Sequence, residues 1–157
     1  MREQPFLSAG EVADKLSFQV IEKTVDIQPP YFIFLMPNKA VFAMVFSKLK
    51  SILQKHESRL TVKTNTASSY YLDAAFSEKF KRDIFFGSVQ IKKNYVSYYL
   101  MPVYMFPELL QGISPNLKKR MQGKSCFNFA ATDAEIFREL AQLTKKVLIN
   151  LRRKNCW

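Results

Sequence analysis

Phe85-Phe86-Gly87-Ser88-Val89-Gln90-Ile91 and Tyr95-Val96-Ser97-Tyr98-Tyr99-Leu100-Met101 are two apolar and aromatic runs joined by Lys92-Lys93-Asn94. Runs of this length around a polar turn, with an asparagine that tolerates left-handed backbone, predict a β-hairpin. In the second run one face carries Tyr95, Ser97, Tyr99 and Met101, and the other Val96, Tyr98 and Leu100. Neither side is plainly solvent-facing, so both faces of the sheet are expected to be covered.

Working outward, Leu60 to Thr64 and Ser69 to Asp73 form a second strand pair around Asn65-Thr66-Ala67-Ser68. Upstream, Asn38 is placed to cap a helix running to about His56, with Val41, Val45, Leu49 and Ile52 as its apolar stripe and Phe42, Phe46 and Leu53 widening it. Downstream, Pro102 ends the strand, Pro107 to Gly112 reads as a short helix, and Ser114-Pro115 starts another. Gln122-Gly123 then turns the chain into a strand at Ser125 to Phe129. Thr132 and Glu135 have capping-box spacing ahead of Ile136, Leu140, Leu143, Val147 and Leu151, which repeat at helical intervals. The expected fold is α+β: an antiparallel sheet of about five strands, with an N-terminal-side helix and a C-terminal helix packed on it. An N-terminal arm covers residues 1–30, where Leu16, Phe18 and Val20 alternate as in a short strand, and a single domain covers residues 31–157.

Composition bounds the function. The chain has 157 residues, 48% of them hydrophobic, which is enough for a core without disulfides or metal. The first residues, Met1-Arg2-Glu3-Gln4-Pro5, lead into no apolar stretch of signal-peptide length. The apolar segment Tyr31 to Phe46 is broken by Pro37-Asn38-Lys39 and falls short of the ~20 residues that span a bilayer. Two cysteines, Cys126 and Cys156, do not make a disulfide framework and suit a reducing, cytoplasmic compartment. Twenty-four Lys and Arg against thirteen Asp and Glu give a net charge of +11, which favours anionic partners.

Candidate chemistry is sparse. His56 is the one histidine and sits at a helix end, where it reads as solvated rather than catalytic. Asp73, Glu78 and Asp83 are interleaved with Lys79, Lys81 and Arg82, which favours neutralisation over a cation cage. Gly123-Lys124-Ser125 lacks the earlier glycine of a phosphate loop, since Lys118 stands there, and leads into a strand instead of a helix. Cys126 as a nucleophile would need a lowered pKa, for which Lys124 is the neighbour on its face. What remains is the coincidence of Lys118, Lys119, Arg120, Lys124 and Lys92-Lys93 with Tyr95, Tyr98, Tyr99 and Tyr104. Cations beside rings can hold an anion while stacking a flat group.

The stretch Phe86 to Tyr98, with Leu100 to Tyr104, Ile113-Ser114-Pro115 and Lys119 to Phe129, resembles the YdhG-like family of small bacterial domains of unknown function. The resemblance covers roughly residues 38–146 and is most specific between Gly87 and Phe129. It implies a bacterial, cytoplasmic α+β domain with a loose link to frataxin-type iron handling, and it brings no catalytic residues with it. The strong positive charge and the lack of an acidic ridge depart from what iron handling requires, and Tyr99 stands where the family often has a histidine.

The expectation is therefore a non-enzymatic binding domain for a small anionic or aromatic ligand at Lys92, Tyr98, Tyr104, Arg120 and Lys124, with no catalytic and no metal residues assigned and its cofactors unknown. The alternatives are nucleic-acid binding by the basic surface and, less favoured, iron handling. No membrane partner is expected, and a homo-oligomer is compatible with a sheet whose second face wants cover.

Overall fold

The computed structural model describes residues 38–78 and 80–154, all within the larger of the chain's two units, Pro37–Trp157. The expected arm over residues 1–30 and Cys156 lie outside the described residues. Helix α1 (Asn38–Gln54) is followed by a 3-10 turn (Glu57–Arg59) and four strands, β1 (Thr61–Asn65), β2 (Ser69–Ser77), β3 (Arg82–Ile91) and β4 (Val96–Leu100). A connection of short helical pieces comes next: α2 (Pro102–Met105), a 3-10 turn (Pro107–Leu110) and α3 (Pro115–Lys118). Strands β5 (Met121–Gln122) and β6 (Cys126–Phe129) and helix α4 (Ala134–Arg153) complete the domain.

The strands form one antiparallel sheet in the order β1-β2-β3-β4-β6-β5. The α+β class holds, with six strands instead of five. The additional strand is β5, whose Met121 and Gln122 pair with Phe127 and Cys126. Two residues are too few to show a period of two, so the sequence carries no strand signal there. Gly123, at φ 73°, supplies the left-handed backbone that folds β5 back onto β6.

Alternation along the central strands sorts the side chains. Tyr70 and Leu72 of β2, Phe86 and Val89 of β3, Val96, Tyr98 and Leu100 of β4, and Phe127 and Phe129 of β6 are buried in one core. Both long helices close that face. From α1 come Val45, Leu49 and Leu53, all fully buried, and from α4 Leu140, Val147 and Leu151. Phe137 of α4 meets Phe129 edge-on, with ring centroids 5.2 Å apart. Helix α4 starts one residue later than the capping-box spacing indicates. Its N-cap is Asp133, not Thr132, because the Asp133 carboxylate accepts from the backbone N–H groups of Glu135 and Ile136, each at 3.1 Å.

The opposite face has a different chemistry. Tyr71, Ser88, Tyr99, Cys126 and Gln122 lie in one row across the sheet, with Ser69, Gln90, Ser97 and Asn128 in the next. Ser97 Oγ donates to Asn128 Oδ1 at 2.9 Å, and the Asn128 amide donates to Gln122. Tyr71 stacks on Phe85, with centroids 4.5 Å apart.

A bulge fixes the alignment of β2 with β3. Leu72 pairs with Gly87 and Asp73 with Phe85, so Phe86 is an extra residue and its ring enters the core. A Cβ on Gly87 would lie 2.7 Å from the Tyr99 carbonyl oxygen, inside any real contact distance and against backbone that cannot swing away. Gly87→Ala is expected to cost about 1–3 kcal/mol, as other overpacked sites do, and to lower the melting temperature by roughly 3–10 °C. An unchanged melting curve would show that β4 yields at this point and that the close approach is not a constraint.

Candidate functional site

The segment between β4 and β6 gathers charge and apolar surface at one end of the sheet. Proline stands at the first position of α2, of the 3-10 turn and of α3, where its missing N–H costs no helical bond. Ser114 caps α3 by accepting from Leu117 N at 3.1 Å. Its own N–H and hydroxyl donate to the two oxygens of Glu139, at 2.5 and 2.6 Å, and so tie the connection to α4. Val103 and Leu117 are fully buried beneath it.

With its flanks held, Tyr104 projects outward and is 51% exposed. The Lys124 ammonium lies 5.1 Å from the centre of the Tyr104 ring, within cation–π range. Beside them opens a cavity of about 660 Å³, lined by Val103, Tyr104, Pro107, Leu110, Lys118, Met121, Gly123 and Lys124. This falls in the size range of small-molecule sites, and its make-up, mostly apolar with a few polar groups, is also theirs. Tyr104 also lines a smaller cavity of about 290 Å³, together with Phe80, Arg82, Asp83, Ile84, Phe85, Met101 and Met105.

Of the five residues expected to form a site, Tyr104 and Lys124 are brought together and the other three are not. Tyr98 is fully buried on the helix-facing side of β4, with its hydroxyl 2.7 Å from Thr144 Oγ1. The Thr144 hydroxyl is itself committed to the Leu140 carbonyl at 2.8 Å, so Tyr98 is the donor of the pair. Tyr98 is therefore a core residue, and burial raises its phenol well above the ordinary value. Lys92 lies at the hairpin, the length of β4 away from Tyr104, and donates to Gln90 Oε1 at 2.5 Å. Arg120 lines a separate cavity with Asn116, Lys119, Asp133 and Ile136.

Lys118 belongs to the site although only its charge was legible. The apolar lining, Val103, Pro107, Leu110 and Met121, was missed because those residues sit on a connection without a period. The signal that marks them is their density. A solvated loop has no use for so many large apolar residues between its prolines.

Other candidates resolve into structural roles. Asp73 and Asp83 face Lys63 at 3.8 and 3.2 Å, and Glu78 pairs with Lys81 at 2.7 Å. Neutralisation is the outcome, with Lys63 of β1 supplying part of it. His56 is half-buried, and its pKa is lowered first by burial and then by Arg59, Lys55 and Lys145. Gly123-Lys124-Ser125 leads into β6 and not into a helix. Among the described residues no three of His, Cys, Asp and Glu converge as a metal site would require, and no helix is long and apolar enough to cross a membrane. No protein-family model matches the chain, and no curated protein or solved structure is significantly similar to it.

Cys126, on the polar sheet face, donates weakly to Asn128 Oδ1 at 3.4 Å. Burial raises its pKa above the ordinary thiol value, and this outweighs Ser97, Tyr99 and Lys92, all of which favour the thiolate. Less thiolate is thus present at neutral pH than in a free cysteine, the reverse of an activated nucleophile. In a Cys156→Ser background, iodoacetamide labelling of Cys126 is expected to be slower at neutral pH than in the denatured chain. Its rate is expected to rise with a midpoint above the ~8.5 of an unperturbed thiol. A midpoint below that value would identify a primed nucleophile.

Proposed function

We propose that this domain binds a small anionic ligand with a flat or apolar body in the groove beside Tyr104, without carrying out chemistry on it. The observation that carries the reading is the meeting of Lys118 and Lys124 with an apolar cavity of about 660 Å³, one wall of which is the half-exposed Tyr104 ring. The lysines supply attraction to the anion, and the ring and the apolar lining supply the surface against which its body is desolvated. Tyr104 and Lys124 already lie in ring-to-ammonium contact, so a ligand that inserts between them exchanges one cation–π contact for a stack and a charge-assisted hydrogen bond. Met101, Met105 and Met121 line the two cavities that share Tyr104. Their flexible thioethers suit a site that adapts to more than one shape.

The resemblance of Gly87 to Phe129 to the YdhG-like family supports a small bacterial domain as the setting. The reduced thiol of Cys126 suits a cytoplasmic one.

Isothermal titration with 1-naphthyl phosphate, which joins an aromatic body to a phosphate, tests the reading. Saturable binding is expected, weakened roughly 10- to 100-fold by Lys124→Ala, the range for losing a hydrogen bond to a charged group. Tyr104→Ala should weaken it by a smaller factor, and inorganic phosphate alone should bind less tightly than the naphthyl ester. No binding by the wild-type protein, or binding that neither substitution alters, would overturn it.

A further inference from the structure

The helical layer on the far side of the core carries most of the protein's charge. Over residues 38–59 and 134–154 eleven Lys and Arg stand against three Glu, a net +8 out of the chain's +11. Two of those glutamates are engaged inward, Glu57 with the Tyr70 hydroxyl and Glu139 with Ser114. Among the described residues the ion pairs involve Lys63 and Lys81, so Lys48, Lys55, Arg59, Arg138, Lys145 and Arg152 meet no carboxylate. All six are exposed.

Their spacing aligns them. Lys48 on α1 and Lys55 one residue past its end, and Arg138, Lys145 and Arg152 on α4, recur every seven residues, so each set runs as a stripe along one side of its helix, with steps of about 10 Å. The two helices are neighbours on the same sheet face. The stripes also come close to each other, because Lys55 and Arg59 from the α1 end and Lys145 from α4 all act on His56. Such a concentration of like charge works against the compact state unless an anion meets it.

We infer that the outward face of α1 and α4 is a second binding surface, separate from the Tyr104 groove, which takes the phosphate backbone of double-stranded nucleic acid without reading its sequence. The aromatic residues of the two helices, Phe42, Phe46 and Phe137, are all buried in the core. Among the described residues the one other ring within this basic stretch is the half-buried His56, so the face offers no exposed aromatic platform on which the bases of a single strand could stack, and it is left with backbone contacts. A lipid surface fits less well. Among the described residues the large exposed apolar side chains of this layer are Met44 and Ile149, whereas a helix lying in a bilayer interface needs a whole apolar face. Here those apolar faces are spent on the sheet.

Fluorescence anisotropy with a labelled mixed-sequence duplex of about twenty base pairs, between about 50 and 200 mM salt, reads this directly. The wild-type protein is expected to bind, with log affinity falling linearly in log salt by about 0.9 for each phosphate engaged. Lys55→Glu with Lys145→Glu should weaken binding about tenfold or more and make the slope shallower by about two phosphates. Lys93→Glu with Lys119→Glu, which changes the net charge equally but lies off this face, should keep the wild-type slope. Thermal melting checks that each pair folds, and Lys55→Gln with Lys145→Gln gives the same direction with less strain if the glutamates do not. The inference is overturned by no binding at the lowest salt or by equal loss in both pairs. Tighter binding of a single strand of the same length, or a preference for phosphatidylserine vesicles over duplex, would also overturn it.

Discussion

The buried phenol of Tyr98 is the constraint on which the sheet depends. It lies wholly within the core, and its hydroxyl has one partner there, Thr144, whose own proton is given to Leu140. A slip of β4 by one residue would move Tyr98 to the polar face and bring Ser97 and Tyr99 inward, leaving Thr144 an unfilled acceptor. Val89 of β3 and Phe127 of β6, which pair with Tyr98, take their face from this choice. The Gly87 contact acts on the same strand from the other side, since β3 approaches the Tyr99 carbonyl so closely that only a glycine fits.

From that register the two ends of β4 acquire different characters. At its start the hairpin carries Lys92 and opens onto a face of hydrogen-bonded polar groups, Gln90, Ser97 and Asn128. At its end the chain leaves the sheet through Pro102 and is held by Glu139 in a path that buries Val103 and presents Tyr104. Lys124 arrives at the same end because β6 runs antiparallel to β4, with Cys126 opposite Tyr99. The groove is thus a product of topology. Its ring and its cation are twenty residues apart in the chain and meet because two strands pair.

The same topology explains what could be read from the sequence. The hairpin from Phe85 to Met101, α1 and α4 were legible because alternation and helical spacing are properties of neighbouring residues. Strand β5 was not, being too short to alternate, and the cap of α4 fell one residue early because Thr132 and Asp133 are both capable N-caps and only the backbone chooses. For the site, Tyr104 and Lys124 were found by chemistry and Tyr98 was misplaced by it. Tyr98 and Tyr99 are adjacent and of one kind, and what separates them is which face the rest of the sheet buries. Lys92 and Arg120 were joined to the site by charge alone, which does not report where along a strand a residue falls. The bulge at Phe86, which sets the faces of β3, leaves no mark in composition.

The measurement closest to the central claim is the set of backbone amide shifts during titration with an aromatic phosphate. If the groove is the site, the resonances of Val103, Tyr104, Lys118 and Lys124 move along one binding curve, while those of Lys92, Tyr98 and Arg120 hold still. Saturating shifts centred on Lys92 or Arg120, with Tyr104 and Lys124 unmoved, would contradict the account.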